Sequence, residues 1–146
     1  MALRDLLKVS LVLFVVALVS PANADEAVKE AYVPKAPLKK LDLQDGDSFV
    51  FLGDSITHQC LYTQYVEDFF YQRMPHIRLK FHNSGVGGAR AWDALARFDE
   101  DIAAYKPKYV SILLGMNDGT YRSYDQATFD AYHRDMTTVV EKIVAS

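Results

Sequence analysis

Cysteine is almost absent from this chain: Cys60 stands alone among 146 residues. One thiol excludes an internal disulfide framework and the paired-cysteine metal motifs. A lone cysteine can be a nucleophile but more often packs as a small buried hydrophobe, which is the reading taken for Cys60. Excess positive charge is lacking too. Sixteen Lys and Arg face 19 Asp and Glu, leaving a net charge of −3 and a pI near 5.7. The two signs are interspersed, so there is no basic stripe and no footprint for nucleic acid. Long apolar runs are missing: Val9–Val19 has eleven residues, well short of the roughly 20 that span a bilayer. Internal repeats and low-complexity segments are absent. With half its residues hydrophobic and 12% aromatic, the chain can bury a core, unlike a disordered segment.

What is present begins with a short leader. Met1–Lys8 carries Arg4 and Lys8, the apolar run follows, and "SPANA" closes with Ala22 and Ala24. This order of basic, apolar and small-residue regions predicts a secretory signal over 1–24, cleaved before Asp25, and an exported protein, periplasmic or extracellular. No stable membrane span is expected after cleavage. Residues 25–47, with Pro34 and Pro37, read as an extended tether closing at the turn Asp45-Gly46-Asp47.

From Ser48 two patterns alternate. "SFVFLG" is a nearly all-apolar strand of the kind covered on both faces. "LYTQYVEDFFYQRM" sets Leu61, Tyr65 and Phe69 at helical spacing, flanked by Tyr62, Val66 and Phe70, and stops before Pro75. Ile77–Asn83 alternates like a strand near a sheet edge. Residues 91–105 place Leu95, Phe98, Ile102 and Tyr105 along a helix ended by Pro107. Lys108–Gly115 reads as a second buried strand. A last amphipathic helix runs through Phe129, Tyr132, Met136, Val140 and Ile143. The β-α-β-α-β-α order predicts an α/β fold, a three-layer α/β/α sandwich on a mostly parallel sheet. Sites in such folds gather at the carboxyl ends of strands.

Each predicted strand is followed by a polar motif containing glycine. Gly53-Asp54-Ser55 puts a hydroxyl on a strand-to-helix turn, where Ser55 is either a nucleophile or an ordinary turn or cap residue. Asn83-Ser84-Gly85-Val86-Gly87-Gly88 lets backbone approach a ligand and expose N–H groups. A dinucleotide loop is the alternative there, weakened because Arg90 occupies the third glycine position. Gly115-Met116-Asn117-Asp118 offers an uncharged amide suited to an oxyanion, or a simple Asn-Asp turn. Three such motifs after three successive strands can converge on one cleft.

"FLGDSIT", "NSGVGG" and "LLGMND", in this order and spacing, resemble the first three sequence blocks of the SGNH hydrolases, the GDSL esterase/lipase superfamily. The resemblance covers Ser48 to the chain end. It implies that Ser55 is the nucleophile and lends its backbone N–H to an oxyanion hole, joined by the Gly88 N–H and the Asn117 side-chain amide. It implies ester hydrolysis through an acyl-enzyme, with no cofactor and no metal. The partner is a small-molecule or carbohydrate ester whose identity stays open; export suggests an acetylated polysaccharide or an acyl lipid. Tyr62, Trp92 and Tyr121 are candidates for stacking on sugars. A non-catalytic acyl- or carbohydrate-binding module on the same fold is the alternative, against which the joint presence of Ser55, Gly88 and Asn117 argues.

A serine needs a base, which this family takes from an Asp-x-x-His block late in the domain. Asp130-Ala131-Tyr132-His133 fits that pattern but lies inside the last amphipathic helix, and is read as coincidence. His58 could line the cleft without an acidic orienter. His76 precedes the second strand, and His82 sits near that strand's end. The expectation is an amino-terminal portion of a longer hydrolase, lacking its histidine block.

Overall fold

The computed structural model of the chain describes residues 41–146. The signal-peptide reading at 1–24 and the tether as far as residue 40 lie outside the described residues. Among these, no helix is long and apolar enough to cross a membrane.

Three strands form one parallel sheet in the order β2-β1-β3: β1 (Ser48–Gly53), β2 (Lys80–Gly85) and β3 (Tyr109–Leu113). Pairing runs from Ser48↔Lys80 to Gly53↔Gly85 on one side and from Phe49↔Tyr109 to Gly53↔Leu113 on the other. Being central, β1 is covered on both faces, which is why nearly every residue in it is apolar.

One face of β1 presents Val50 and Leu52 to the larger core. With Val110 and Ile112 they meet Ala94, Phe98, Ile102, Met136, Val139 and Ile143. Those residues come from α3 (Ala91–Ala96), α4 (Phe98–Asp101) and its following turn, and α5 (Gln126–Ala145). The opposite face stacks Phe49, Phe51 and Phe81, with Phe49–Phe51 centroids 5.0 Å and Phe51–Phe81 centroids 6.0 Å apart. Here Phe70 of α2 (Leu61–Arg73) and Leu79 complete a smaller core with Leu43. Helices on both faces of a parallel sheet make this the α/β sandwich expected.

Four local expectations need correction. First, on α2 the residues facing the sheet are Tyr62, Thr63, Val66 and Phe70, while Leu61, Tyr65 and Phe69 are exposed. Polar anchors set this rotation. Tyr62 Oη lies 2.9 Å from Thr57 Oγ1, and Asn83 Nδ2 donates to Thr63 Oγ1 at 3.3 Å.

Second, β2 starts later than Ile77. The Arg78 carbonyl accepts from Gly46 N–H, and Lys80 N–H donates to the Asp47 carbonyl, so 77–79 are held by the incoming turn before the ladder to β1 begins. Third, the single helix over 91–105 is broken at Arg97, and ends in a 3-10 turn at Ala103–Tyr105. Tyr105 is exposed and stacks on His82 with ring centroids 3.8 Å apart.

Fourth, Cys60 is not a buried apolar residue. It is half-exposed in a left-handed conformation (φ 62°). Its thiol donates to the His58 carbonyl at 3.3 Å and accepts from Asn83 Nδ2 at 3.2 Å.

Candidate active site

The carboxyl end of β1 turns sharply into α1 (Ser55–His58). Asp54, only 1% exposed, caps this short helix, its Oδ1 accepting from Ile56 N–H at 2.9 Å. Its own N–H donates to the Leu113 carbonyl at 3.3 Å, fastening the turn to β3. Ser55 is therefore a half-buried first residue of α1 on a turn fixed from two sides. Gly53 permits this, because a Cβ there would collide with the Thr57 side chain beneath it.

The end of β2 is fixed by the Asn83 side chain. Its Oδ1 accepts from Gly85 N–H at 2.9 Å and its Nδ2 donates to the Thr57 carbonyl at 2.7 Å, so one amide joins β2 to α1. Val86 N–H then donates to the Gly53 carbonyl at 3.0 Å. Beyond it Gly87 and Gly88 are exposed, with Gly88 at φ +77°. That left-handed backbone favours glycine. The loop returns to the core at Ala89.

At the end of β3, Asn117 links the other two motifs. Its Nδ2 donates to the Ala89 carbonyl at 2.9 Å and lies 3.4 Å from Asp54 Oδ2. It thus touches the residue before Ser55 and the residue after Gly88. Ser55, Gly88 and Asn117, picked out in sequence, are brought together at one end of the sheet. Next to them, Asp118 Oδ1 accepts from Ala91 N–H at 3.0 Å, while its Oδ2 is buried with no partner among the described residues. Burial pushes the Asp118 carboxyl above the usual aspartate range, against the opposing pull of the Ala91 N–H and the Arg90 charge.

Sequence reasoning assigned no role to Arg97, or to Asp54 and Asn83 beyond their place in the motifs. Arg97 Nη1 donates to the Ser84 carbonyl at 2.9 Å and to Asp101 Oδ2 at 2.6 Å; Nη2 approaches the Gly53 carbonyl at 3.5 Å. The only sequence signal was a lone arginine inside the apolar stretch "ALARF".

No histidine completes the arrangement among the described residues. His58 Nδ1 lies 3.1 Å from the Gly85 carbonyl. His82 is stacked on Tyr105, its pKa lowered by burial and then by Lys80. His76 and His133 are exposed. The His133 ring neighbours Phe129 at 5.9 Å, and Asp130 Oδ1 accepts from Gln126 Nε2 at 2.7 Å. Among the described residues, none of the four shares a hydrogen bond with Ser55 or with a carboxylate. The stacking candidates also divide: Trp92 and Tyr121 are exposed, whereas Tyr62 is half-buried with its ring edge against Phe51. Trp92 and Asp118 help line a cleft of about 210 Å³.

Residues 51–146 match the GDSL-like lipase/acylhydrolase family. An acetylxylan esterase of Geobacillus stearothermophilus is 32% identical, in an alignment covering 58% of this chain and 45% of that one. A crystal structure of an acetylxylan esterase from that organism superposes with a TM-score of 0.60 at 27% identity, over 70% of this chain and 56% of the other. A gut microbial diltiazem-metabolizing enzyme gives a TM-score of 0.57 at 28% identity, over 69% and 24%. The chain spans about half the length of the acetylxylan esterases it matches.

Proposed function

The chain belongs to the GDSL-like lipase/acylhydrolase family, the SGNH hydrolases of its three motifs, and we propose that the protein is an exported serine ester hydrolase acting through Ser55. Ser55 Oγ attacks the ester carbonyl carbon, whose oxygen takes up negative charge. Three donors receive that charge: the N–H groups of Ser55 and Gly88 and the Asn117 side-chain amide. A base takes the Ser55 hydroxyl proton and passes it to the departing alcohol; water then attacks the acyl-enzyme through a second oxyanion, releasing the carboxylic acid and restoring the Ser55 hydroxyl. No step requires a metal or cofactor.

The observation that carries the reading is the Asn117 amide, which bonds to the Ala89 carbonyl and touches Asp54. That side chain is tied to the residue before Ser55 and to the residue after Gly88, which supports a shared oxyanion site. The four described histidines have other partners or face solvent, and the chain spans half of its relatives. The reading therefore assigns the base to none of the four described histidines. For substrate, the named activity of the acetylxylan esterase and the exposure of Trp92 and Tyr121 support an acetylated carbohydrate.

The test uses the full-length product of the gene and a serine-directed fluorophosphonate probe. The expected result is labelling at Ser55, lost in Ser55→Ala, with acetate released from acetylated xylan. A folded protein that neither labels nor releases acetate sinks the proposal.

A further inference from the structure

Arg97 breaks the helical run between α3 and α4, and its side chain is only 16% exposed. A charged side chain is costly to bury without partners, and the guanidinium's partners here are unusual. Two are main-chain carbonyls at the carboxyl ends of neighbouring strands: Ser84 on β2, bonded at 2.9 Å, and Gly53 on β1, approached at 3.5 Å, the edge of hydrogen-bonding range. The third is Asp101 Oδ2, one helical turn away, which fixes the orientation of the fork. Ser84 is held a second time, its Oγ donating to the Asp101 carbonyl at 2.6 Å.

From these two strand ends the proposed oxyanion donors depart. Gly53 leads directly to Asp54 and Ser55, and Ser84 leads through Gly85 to the Gly87-Gly88 loop. Past Gly85, the one main-chain bond from this loop to β1 is Val86 N–H to the Gly53 carbonyl, the oxygen that Arg97 also approaches. Parallel pairing is slightly weaker per residue than antiparallel, and β2 pairs with β1 alone among the described residues. The glycine-rich loop leaving this strand is tied by Asn83 at its base and by Asn117 at Ala89, and neither tie joins the ends of β1 and β2 directly. The guanidinium supplies what the ladder lacks.

We infer that Arg97 is a positioning residue: it clamps the carboxyl ends of β1 and β2 together, so that the N–H groups of Ser55 and Gly88 converge on one oxyanion. It touches no substrate. The inference rests on the proposed esterase reading for its kinetic consequence, but the clamp can be read without it. Misplacing a reacting group by about 1 Å costs on the order of 10²-fold in rate, so a relaxed clamp should reduce turnover more than binding.

The experiment compares Arg97→Gln and Arg97→Lys with the unaltered full-length protein. Each is assayed for 4-nitrophenyl acetate hydrolysis, and for the amide resonance of Val86 in a nitrogen-15 correlation spectrum. Arg97→Gln should lower kcat by about 10- to 100-fold with KM within about twofold. Arg97→Lys, keeping a charge and one donor direction, should recover part of that loss. The Val86 resonance should move in both variants, because its acceptor loses a partner.

A folded Arg97→Gln with kcat within twofold of the parent overturns the inference, as does a rise in KM at constant kcat. Should Arg97→Gln fail to fold, Arg97→Lys decides: a several-fold lower kcat at unchanged KM supports the clamp, and an unchanged kcat overturns it. If the parent itself hydrolyses no ester, the functional proposal fails. The clamp then stands or falls on the Val86 resonance alone.

Discussion

The side-chain amide of Asn117 donates to the Ala89 carbonyl at 2.9 Å, and its nearest other acceptor, Asp54 Oδ2, is 3.4 Å away. The two hydrogens of one amide are thus unequally engaged. The first anchors the loop that carries Gly88. The second has only a contact at the edge of hydrogen-bonding range, so an oxyanion could take it with little to displace. Asn117→Ala should therefore lower kcat by about 10²–10³. It should also lower stability by about 1 kcal/mol, through loss of the bond to Ala89. Steady-state kinetics and urea unfolding of the full-length protein check both. Turnover within tenfold of the parent would remove Asn117 from the oxyanion site.

Asp118 gives the site a pH signature. Burial raises its pKa in the folded protein. The native state therefore keeps a proton that the unfolded chain has already released, and stability falls as pH rises from about 3.9 through the raised folded value. Above that value the dependence levels off. Asp118→Asn does not titrate, so parent stability minus variant stability should shrink across this window. Urea unfolding at several pH values from about 3.5 to 7 measures it. A difference that stays constant or grows with pH contradicts the assignment.

The opposite sign applies at Asp125, which caps α5. Its Oδ2 accepts from Thr128 N–H at 2.8 Å and from the Thr128 hydroxyl at 2.7 Å. Those bonds hold its carboxyl below the usual aspartate range. Stability from this charge is complete above the unfolded pKa and is lost as pH falls through the folded one. Asp125→Ala should melt below the parent at neutral pH, with the gap narrowing toward about pH 2. If the gap persists unchanged into acid, the cap works without its charge.

The alternation of apolar strands with amphipathic segments was enough to read the layer order, and it located the three strand-end motifs. The strand-end positions of Ser55, Gly88 and Asn117 were legible from those short glycine-bearing motifs, whereas the roles expected of them came from the resemblance to the SGNH blocks. What escaped was decided by polar bonds between distant segments. Hydropathy favoured Leu61, Tyr65 and Phe69 as part of the packed face of α2, yet Tyr62 and Thr63 turn the helix through bonds to Thr57 and Asn83. Helical spacing over 91–105 concealed Arg97, whose carbonyl acceptors lie 13 and 44 residues away in sequence. Asp54 read as a turn residue because its contact with Asn117 crosses 63 positions. Periodicity reports which face is apolar; it does not report which amide finds which carbonyl.

Gly85 and Gly88 belong to one motif but should fail for different reasons. A Cβ at Gly85 would stand 2.6 Å from the Thr57 carbonyl carbon and 2.8 Å from His58 Cα. Those are backbone atoms of the helix that begins with Ser55, and they cannot rotate aside. Gly85→Ala should push α1 off β2, costing about 1–3 kcal/mol and displacing Ser55. A Cβ at Gly88 meets nothing within 4 Å, but φ is +77°. The cost of Gly88→Ala is then backbone strain, about 1–2 kcal/mol, and it should be smaller for Gly88→Asn, which tolerates that region better. Gly87, with open space and no positive φ, serves as the control: Gly87→Ala should leave stability within about 0.5 kcal/mol of the parent. Turnover should drop in Gly85→Ala and Gly88→Ala, because one moves Ser55 and the other re-aims the Gly88 N–H. Chemical denaturation of all four variants, with kcat on the same samples, decides the matter. If Gly88→Asn is no more stable than Gly88→Ala, the strain account fails; if Gly85→Ala keeps full turnover, α1 does not depend on that contact.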